Sequence, residues 1–313
     1  MARIVVSEFM DAPAVERLRR RHDVLADATL VDRRDALVAA VADADALIVR
    51  NRTHVDAALV AAAPKLVVVG RLGVGLDNID VAACGKRGIG VVPATGANAL
   101  AVAEYVIGTA MLLLRGAYRA SADVAEGRWP RAALSGGREI HGKTLGLVGF
   151  GGIGRLTAGM ARALGMRVIA HDPAIDPNAP LWRESEVEPL ALDEVFATAD
   201  VVSLHVPLVE STRNLVDARR LAQMKPDAVL VNTARGGIVD EAALAAALRT
   251  RRLGAAAIDV FADEPLPAGS ALADAPNLVL TPHIAGVTAE SNARVSTMIA
   301  ERVDGILAAR RGA

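Results

Sequence analysis

Three side chains of complementary chemistry occur late in the chain: Arg235, Glu264 and His283. Each has an ordinary interpretation when taken alone, as a surface cation, a solvated loop charge and a buried structural imidazole, respectively. Together they suit proton transfer on a small anionic molecule, because imidazole titrates near neutral pH. A carboxylate beside an imidazole favours its protonated form and fixes its orientation. A guanidinium binds a carboxylate and polarises a neighbouring carbonyl in a geometry that lysine does not reproduce.

The three side chains belong to turns that follow short apolar segments. These turns are Asn232-Thr-Ala-Arg-Gly-Gly237, Asp259-Val-Phe-Ala-Asp-Glu-Pro265 and Thr281-Pro-His-Ile-Ala-Gly286. Open α/β sheets bind their ligands at the carboxyl ends of the strands. We therefore expect the three turns to contribute to one site.

A glycine-rich turn, Gly149-Phe-Gly-Gly-Ile-Gly154, follows an apolar strand and precedes a helix. In this context Gly149 permits a tight turn, Gly151 lets the backbone approach a pyrophosphate, and Gly154 lets the helix pack on the strand. The N-terminus of the helix offers unsatisfied N–H groups and a partial positive charge to phosphates. The segment therefore predicts dinucleotide binding.

Asp172 ends the next strand, roughly 20 residues further on, where a carboxylate meets the ribose hydroxyls in such folds. A carboxylate there repels a 2′-phosphate, and no arginine follows at once, so we predict NAD rather than NADP. The alternative for Asp172 is a turn former before Pro173.

Apolar runs and helical stretches alternate along the chain, and the β-branched runs are continuous, which indicates parallel strands covered on both faces. We predict four early strands: Arg3–Ser7, Ala46–Arg50, Leu66–Gly70 and Gly90–Pro93. Six later ones are Thr144–Val148, Arg167–Ala170, Asp200–Leu204, Ala228–Val231, Ala255–Ile258 and Asn277–Leu280. The predicted helices are Ala12–His22, Asn98–Arg115, Gly154–Leu164, Asp193–Ala197, Arg219–Met224, Glu241–Thr250 and Thr288–Arg310. The pattern predicts an α/β fold with two doubly wound parallel-sheet domains.

The composition excludes several classes of protein. The chain has 313 residues, a hydrophobic fraction of 52% and a formal charge of -1, so it can bury large cores and has no global field that favours nucleic acid. Its single cysteine, Cys84, rules out an intramolecular disulfide framework and a cysteine-based zinc site, and we predict no metal. The apolar helix after Asn98 is too short and too charged for a membrane span. The N-terminus lacks a secretory signal, and we expect a cytoplasmic protein.

The chain resembles the D-isomer-specific 2-hydroxyacid dehydrogenase family, most closely its 3-phosphoglycerate dehydrogenase branch. The resemblance covers nearly the whole chain. Besides the glycine-rich turn and the three strand-end turns, it rests on Val49-Arg-Asn-Arg-Thr-His54, Gly70-Arg-Leu-Gly-Val-Gly-Leu-Asp-Asn-Ile-Asp80 and Gly96-Ala-Asn-Ala-Leu-Ala-Val-Ala-Glu104. It implies a Rossmann cofactor domain, residues 98–286, inserted into a flavodoxin-like substrate domain, residues 1–97 and 287–313. It also implies interconversion of a 2-hydroxy acid and its 2-oxo acid by hydride transfer, with Arg235, Glu264 and His283 as the catalytic set.

The resemblance implies the ligand contacts as well. For the cofactor they are Val74, Gly149, Gly151, Gly152, Ile153, Gly154, Asp172, His205, Val206, Pro207, Thr233, Ala234, Arg235, Asp259, His283 and Gly286. For the substrate they are Arg50, Asn51, Leu72, Gly73, Val74, Asn98, Arg235 and His283. Within these sets, the N–H groups of Gly73 and Val74 would hold the substrate carboxylate, and Asp259 would face the nicotinamide carboxamide.

The predicted substrate domain carries more cations than hydride transfer requires. Arg50, Arg52 and Arg71 each lie at or just past the end of a predicted strand. Our hypothesis is a substrate with a second anionic group, of the 3-phosphoglycerate or sulfolactate type, the alternative being that Arg50 and Arg52 are solvated loop charges. A glyoxylate or hydroxypyruvate reductase fits the same motifs.

The partners predicted are a small 2-hydroxy or 2-oxo acid and a second copy of the chain, with no nucleic acid and no membrane. The homodimer would form through the helix after Asn98 and an arm at residues 127–137, in which Trp129 is either an anchor on the partner or a tucked loop aromatic. The chain ends after its last predicted helix, so we expect no regulatory domain. A non-catalytic NADH-sensing protein is the candidate from another class.

Overall fold

The chain folds into two compact units in a computed structural model that describes residues 1–311. The first unit comprises Met1–Asn98 and the chain from Val287 onward, and the second comprises Ala99–Gly286. Each unit contains one parallel β-sheet between two layers of helices. This architecture confirms the predicted fold class.

The first unit has a five-stranded parallel sheet. Its strands are β1 (Arg3–Val6), β2 (Asp23–Ala26), β3 (Ala46–Val49), β4 (Val68–Arg71) and β5 (Gly90–Pro93). Its helices are α1 (Ala12–Arg19), α2 (Arg34–Val41), α3 (Ala57–Ala62), α4 (Val81–Lys86) and α12 (Ala289–Arg311), with a 3-10 turn at Ala28–Asp32. The strand order β2-β1-β3-β4-β5 is that of flavodoxin-like folds, with its switch point between β1 and β3. The prediction of four strands was wrong because β2 is a largely exposed edge strand without an apolar run.

The two faces of this first sheet are covered by different helices. On one face α1 and α12 enclose a core that contains Ile4, Leu18 and Ile299. An added Cβ at Gly70, in β4, would lie 2.7 Å from a methyl group of Ile299, so α12 packs directly on the strand. The other face carries a second core that includes Leu47. Helix α12 is therefore fixed against β4.

The second unit has a seven-stranded parallel sheet. Its strands are β6 (Thr144–Val148), β7 (Arg167–His171), β8 (Glu188–Pro189), β9 (Val201–Leu204), β10 (Val229–Asn232), β11 (Ala255–Ile258) and β12 (Leu278–Leu280). Its helices are α5 (Ala99–Arg115), α6 (Ser121–Ala125), α7 (Gly152–Ala163), α8 (Pro180–Glu184), α9 (Leu192–Thr198), α10 (Ala218–Gln223) and α11 (Glu241–Arg249), with 3-10 turns at Ala117–Ala120 and Glu210–Thr212. The order β12-β11-β10-β9-β6-β7-β8 is the Rossmann order with one strand added at an edge. We predicted six strands and missed β8, an edge strand of two residues.

Helix α5 buries one side and exposes a narrow stripe. Nine of its residues are buried, whereas Leu100, Glu104 and Met111 lie on its exposed side. Trp129, in the following arm, is 76% exposed, so it is not the tucked loop aromatic of the second alternative. No single helix within residues 1–311 has both the length and the apolar composition to cross a membrane; Ala99–Arg115 and Ala117–Ala125, bent by 69°, meet that criterion only as a pair.

Candidate active site

The glycine-rich turn lies at the switch point of the second sheet, between β6 and β9. Gly149 has a φ of +98°, and a Cβ there would lie 2.6 Å from the carbonyl oxygen of His205. A Cβ at Gly154 would overlap the carbonyl oxygen of Gly149. Gly151 and Gly152, where α7 begins, face open space instead. Close packing thus explains two of the glycines, while the other two leave bare backbone that a pyrophosphate can approach.

The carboxylate of Asp172 is held beside this turn. Its Oδ2 accepts a hydrogen bond of 2.8 Å from the N–H of Phe150, and its Oδ1 accepts one of 2.9 Å from the N–H of Ala174. Phe150 is itself buried and stacks on Trp182 with 4.8 Å between the ring centroids. The negative charge after β7 is therefore tied to the turn after β6, an arrangement that suits the ribose hydroxyls of NAD.

The turn after β9 carries His205, Val206 and Pro207 on the other side of the switch point. Nε2 of His205 lies 3.0 Å from the hydroxyl of Ser203, and burial lowers the pKa of His205 to about 4. The imidazole is therefore neutral near pH 7. Val206 packs against the apolar core, so this turn presents a largely uncharged surface beside the glycine-rich turn.

The turn that carries Arg235 is shaped by Asn232, the buried last residue of β10. The amide nitrogen of Asn232 donates to the carbonyl of Arg235 at 3.0 Å, which closes the turn. A Cβ at Gly236 would overlap the backbone of Phe261, so this position requires glycine. The buried hydroxyl of Thr233 has no hydrogen-bond partner within residues 1–311, and a buried unsatisfied hydroxyl fits a site that a ligand completes.

His283 and Glu264 form a direct pair beyond β12 and β11. Nδ1 of His283 lies 2.7 Å from Oε2 of Glu264, whose Oε1 accepts from the N–H of Phe261 at 3.0 Å. Since a carboxylate only accepts, Nδ1 carries a proton, and Nε2 is the nitrogen left to exchange one. The two side chains are 41% and 33% exposed, so the pair is open to small molecules. His283 adopts a left-handed backbone conformation with a φ of +54°, unusual for a residue other than glycine.

The buried carboxylate of Asp259 holds the turn that carries this imidazole. It accepts hydrogen bonds from the hydroxyl of Thr281 at 2.6 Å and from the N–H groups of Ile284 and Ala285 at 2.8 and 2.9 Å. Because the hydroxyl proton of Thr281 goes to Asp259, Tyr105 of α5 must donate its own to Thr281 across their 2.6 Å contact. Burial raises the pKa of Tyr105, so the phenol keeps this proton. The unusual conformation is thus stabilised by a buried network.

The first unit places Gly73 and Val74 just past β4. The N–H of Gly73 donates to the carbonyl of Arg71 at 2.8 Å, whereas that of Val74 makes no hydrogen bond to residues 1–311. A Cβ at Gly73 would overlap the guanidinium of Arg71, so a cation lies against this backbone. Oδ1 of Asn98 is buried and has no hydrogen-bond partner within residues 1–311. Of the two amides predicted to meet a carboxylate, that of Val74 is therefore the one left to do so.

Arg50 and Arg52 differ sharply in their surroundings, although both follow β3. The half-buried guanidinium of Arg50 donates to Oδ1 of Asn292 at 2.7 Å and lies 5.8 Å from the ring centroid of Phe9. Within residues 1–311 it forms no ion pair. Arg52 is exposed and paired with the carboxylate of Asp32. Of these two arginines, Arg50 is therefore the desolvated cation, and it has no bonded carboxylate within residues 1–311.

The predicted site residues thus form one group in each unit. In the second unit the glycine-rich turn, Asp172, His205 and the three strand-end turns lie at the carboxyl edge of one sheet. In the first unit Arg50 and Leu72 follow the neighbouring strands β3 and β4, and Asn51 is exposed beside Arg50. Three further residues of these sites, Glu8, Asn292 and Tyr105, were not predicted from the sequence. Glu8 was detectable, since it follows β1 at the same edge, but no local signal marks the other two.

Comparisons with known proteins agree with this geometry. The sequence profile of the D-isomer specific 2-hydroxyacid dehydrogenase, NAD binding domain, matches residues 107–285. The chain is 54% identical over 311 residues to an (S)-sulfolactate dehydrogenase of Chromohalobacter salexigens, covering 99% of this chain and 100% of that protein. It is 45% identical to a D-3-phosphoglycerate dehydrogenase of Mycobacterium tuberculosis over 86% of this chain, but spans only 50% of that protein. A crystal structure of an Aquifex aeolicus D-lactate dehydrogenase complexed with NAD and lactic acid superposes with a TM-score of 0.84 at 26% identity, covering 98% of this chain and 96% of that one.

Proposed function

Because the chain belongs to the D-isomer-specific 2-hydroxyacid dehydrogenase family, we propose that its substrate is a small 2-hydroxy acid whose side chain carries a second anionic group. The chain is an NAD-dependent oxidoreductase that interconverts a 2-hydroxy acid and its 2-oxo acid. The sulfolactate and 3-phosphoglycerate types of substrate carry such a second group. A sulfonate or phosphate on the carbon next to the reacting one is therefore the feature to be recognised.

We assign the proton transfer to His283 and its orientation to Glu264. When bound, NAD takes up or returns the hydride at carbon 2 of the substrate. In the oxidation Nε2 of His283 accepts the hydroxyl proton, and in the reduction it returns that proton to the oxygen. Glu264 holds Nδ1 at 2.7 Å and stabilises the imidazolium. The guanidinium of Arg235 binds the substrate carboxylate and polarises the carbonyl of the 2-oxo acid.

For the cofactor we assign three contacts within the second unit. The backbone from Gly151 to Ile153, where a Cβ at the first two positions would meet nothing, takes the pyrophosphate. The carboxylate of Asp172 takes the ribose hydroxyls, which favours NAD over NADP. The unpartnered hydroxyl of Thr233 lies in the turn of Arg235 and takes a polar group of the nicotinamide half.

The observation that supports this choice of substrate is that the guanidinium of Arg50 is half-buried and is bonded to no carboxylate within residues 1–311. Burial lowers the pKa of Arg50, and the negative charge of Glu8 opposes that shift. Its hydrogen-bond acceptor is the neutral amide of Asn292. Burying a cation without a bonded anion costs free energy, which an anionic ligand recovers by forming charge-assisted hydrogen bonds. An uncharged side chain, as in lactate or glycerate, leaves that cost unrecovered.

The test compares sulfolactate, 3-phosphoglycerate and malate with lactate and glycerate, following NADH absorbance. We expect the charged substrates to have the higher kcat/KM, and Arg50→Met to lower it by roughly 30- to 100-fold, the value of one or two charge-assisted bonds. Arg52→Met is the matched control and should change it less than about threefold, as expected for an exposed ion pair. A wild-type preference for lactate or glycerate would reject the proposal in favour of an enzyme for uncharged side chains, of the glyoxylate or hydroxypyruvate reductase type.

We further propose that the protein is a cytoplasmic homodimer that associates through α5 and the following arm. Leu100 and Met111 on the exposed side of α5, with Tyr118 and Trp129 beyond it, are 40 to 76% exposed. Large apolar side chains with this much exposure are typical of protein interfaces. Light scattering should give a dimer mass that Met111→Glu with Trp129→Ala reduces to a monomer mass. Fractionation of the source cells should recover the protein with the soluble intracellular fraction.

A further inference from the structure

The buried carboxylate of Glu8 fixes the turn that carries Arg50. Glu8, the second residue after β1, is 7% exposed. Its two oxygens accept from the N–H groups of Arg50 at 2.8 Å, Arg52 at 3.2 Å and Thr53 at 2.9 Å. The amide of Asn78 donates to the carbonyls of Arg50 and Thr53 at 3.0 and 2.6 Å. The turn therefore lies at the switch point of the first sheet with its backbone rigidly fixed.

The hydrogen bonds of Glu8 go to the backbone, and none goes to a guanidinium within residues 1–311. Its charge lies close enough to favour the cationic form of Arg50. Glu8 accepts no hydrogen bond from that guanidinium, so the N–H groups of the guanidinium remain available to other acceptors. The backbone of Arg50 is thus fixed by Glu8, and its side chain must be oriented by a different residue.

The side chain is oriented by Asn292, which comes from the other end of the chain. Helix α12 begins with reciprocal bonds between Thr288 and Ser291: the N–H of each donates to the hydroxyl of the other, at 2.9 and 3.0 Å. This places Asn292 in the first turn, and the tight contact between Gly70 and Ile299 fixes the helix on β4. The Oδ1 of Asn292 then accepts from Arg50 at 2.7 Å.

We infer that Asn292 is a specificity-determining positioning residue, which aims the guanidinium of Arg50 without neutralising it. The inference rests on the proposed function, because it assumes that Arg50 meets the second anionic group of the substrate. Aspartate has the same shape as asparagine, but its charge would form an ion pair with Arg50 and compete with the substrate. A neutral acceptor supplies the orientation and leaves the positive charge to the ligand.

The experiment compares Asn292→Asp, Asn292→Ser and Arg50→Met in the full chain, with KM and kcat measured for sulfolactate and for lactate. We expect Asn292→Asp to raise KM for sulfolactate by roughly 10- to 100-fold with kcat within about twofold of the wild type, the loss expected when one charge-assisted contact is neutralised. Asn292→Ser, whose shorter side chain withdraws the amide oxygen from Arg50 without adding a charge, should raise it by only about threefold. KM for lactate should hardly change in either variant.

Ala308→Asp is the matched control, because it adds the same charge at an exposed position of α12, about 24 Å further along the helix. It should leave both KM values unchanged. If Arg50→Met raises KM for sulfolactate but Asn292→Asp does not, or if the Asp and Ser variants behave alike, the inference about Asn292 is wrong and the proposed substrate class stands. If Arg50→Met itself leaves KM unchanged, the proposed substrate class fails.

Discussion

Replacing Glu264 by glutamine should reverse the proton pattern of His283. Oε1 of Glu264 accepts from the N–H of Phe261, so the oxygen of a glutamine amide is retained on that side. Its NH₂ group then faces Nδ1 of His283, which must become an acceptor, and the ring proton moves to Nε2. Nε2 can no longer accept the hydroxyl proton of the substrate, and the imidazolium loses its carboxylate.

A hydrogen bond to a charged partner contributes about 1.5 to 3 kcal/mol. Since the two side chains are 41% and 33% exposed, solvent screening reduces the expected loss to about 1 to 2 kcal/mol. At 1.4 kcal/mol for each factor of ten, kcat/KM should fall by about 5- to 30-fold. The assay is the initial rate of NADH formation with the 2-hydroxy acid, the direction in which Nε2 accepts the proton, with the affinity for NADH measured separately by fluorescence.

Glu241→Gln is the control for Glu264→Gln. Glu241 accepts from the N–H of Ala262 at 2.8 Å, so it supports the same loop without contacting His283. It should retain kcat/KM within about twofold, since the amide oxygen of glutamine can still accept this hydrogen bond and only a charge on the loop is lost. Equal losses in the two variants would show that loop stability, and not the histidine–carboxylate pair, determines the rate.

Three other outcomes are expected. Asp172→Ala should raise KM for NAD by about tenfold and lower KM for NADP, because it removes the carboxylate held by Phe150; unchanged kcat/KM ratios for the two cofactors would contradict this. Asp259→Asn should reduce the free energy of unfolding by about 2 kcal/mol, because the NH₂ group of the asparagine faces the N–H of Ala285 and leaves a buried donor unsatisfied. It should also lower kcat, because the same hydrogen bonds hold the turn of His283. Urea unfolding measures the first effect and initial rates measure the second. The folded-state pKa of His205, about 4, lies below the value of about 6.5 expected in the unfolded chain, so the unfolded chain binds the extra proton between these values. Unfolding in urea should therefore show a loss of about 2 kcal/mol on going from about pH 7.5 to about pH 5, a loss that His205→Gln removes.

Local sequence predicted the interior of both sheets well. Thr144–Val148 and Ala255–Ile258 are wholly buried strands with the predicted bounds, because buried parallel strands form continuous apolar runs. The edge strands β2 and β8 were not predicted, because they are exposed to solvent and therefore need no continuous apolar run. The turns after the strands could also be predicted from the sequence, because backbone geometry favours glycine and asparagine at these positions.

The tertiary structure decided which charges are paired and which are left for a ligand. The sequence presents Arg50 and Arg52 as equivalent, and only the fold gives Arg52 a carboxylate and Arg50 a neutral amide 242 residues away. It likewise decides that Glu264 meets His283, and that Asp259 secures the turn that carries His283. Residue types and local spacing determine strands, turns and the available chemical groups, because these depend on neighbours along the chain. Partners across the fold depend on how the helices pack on each sheet, and that packing is a property of the whole chain.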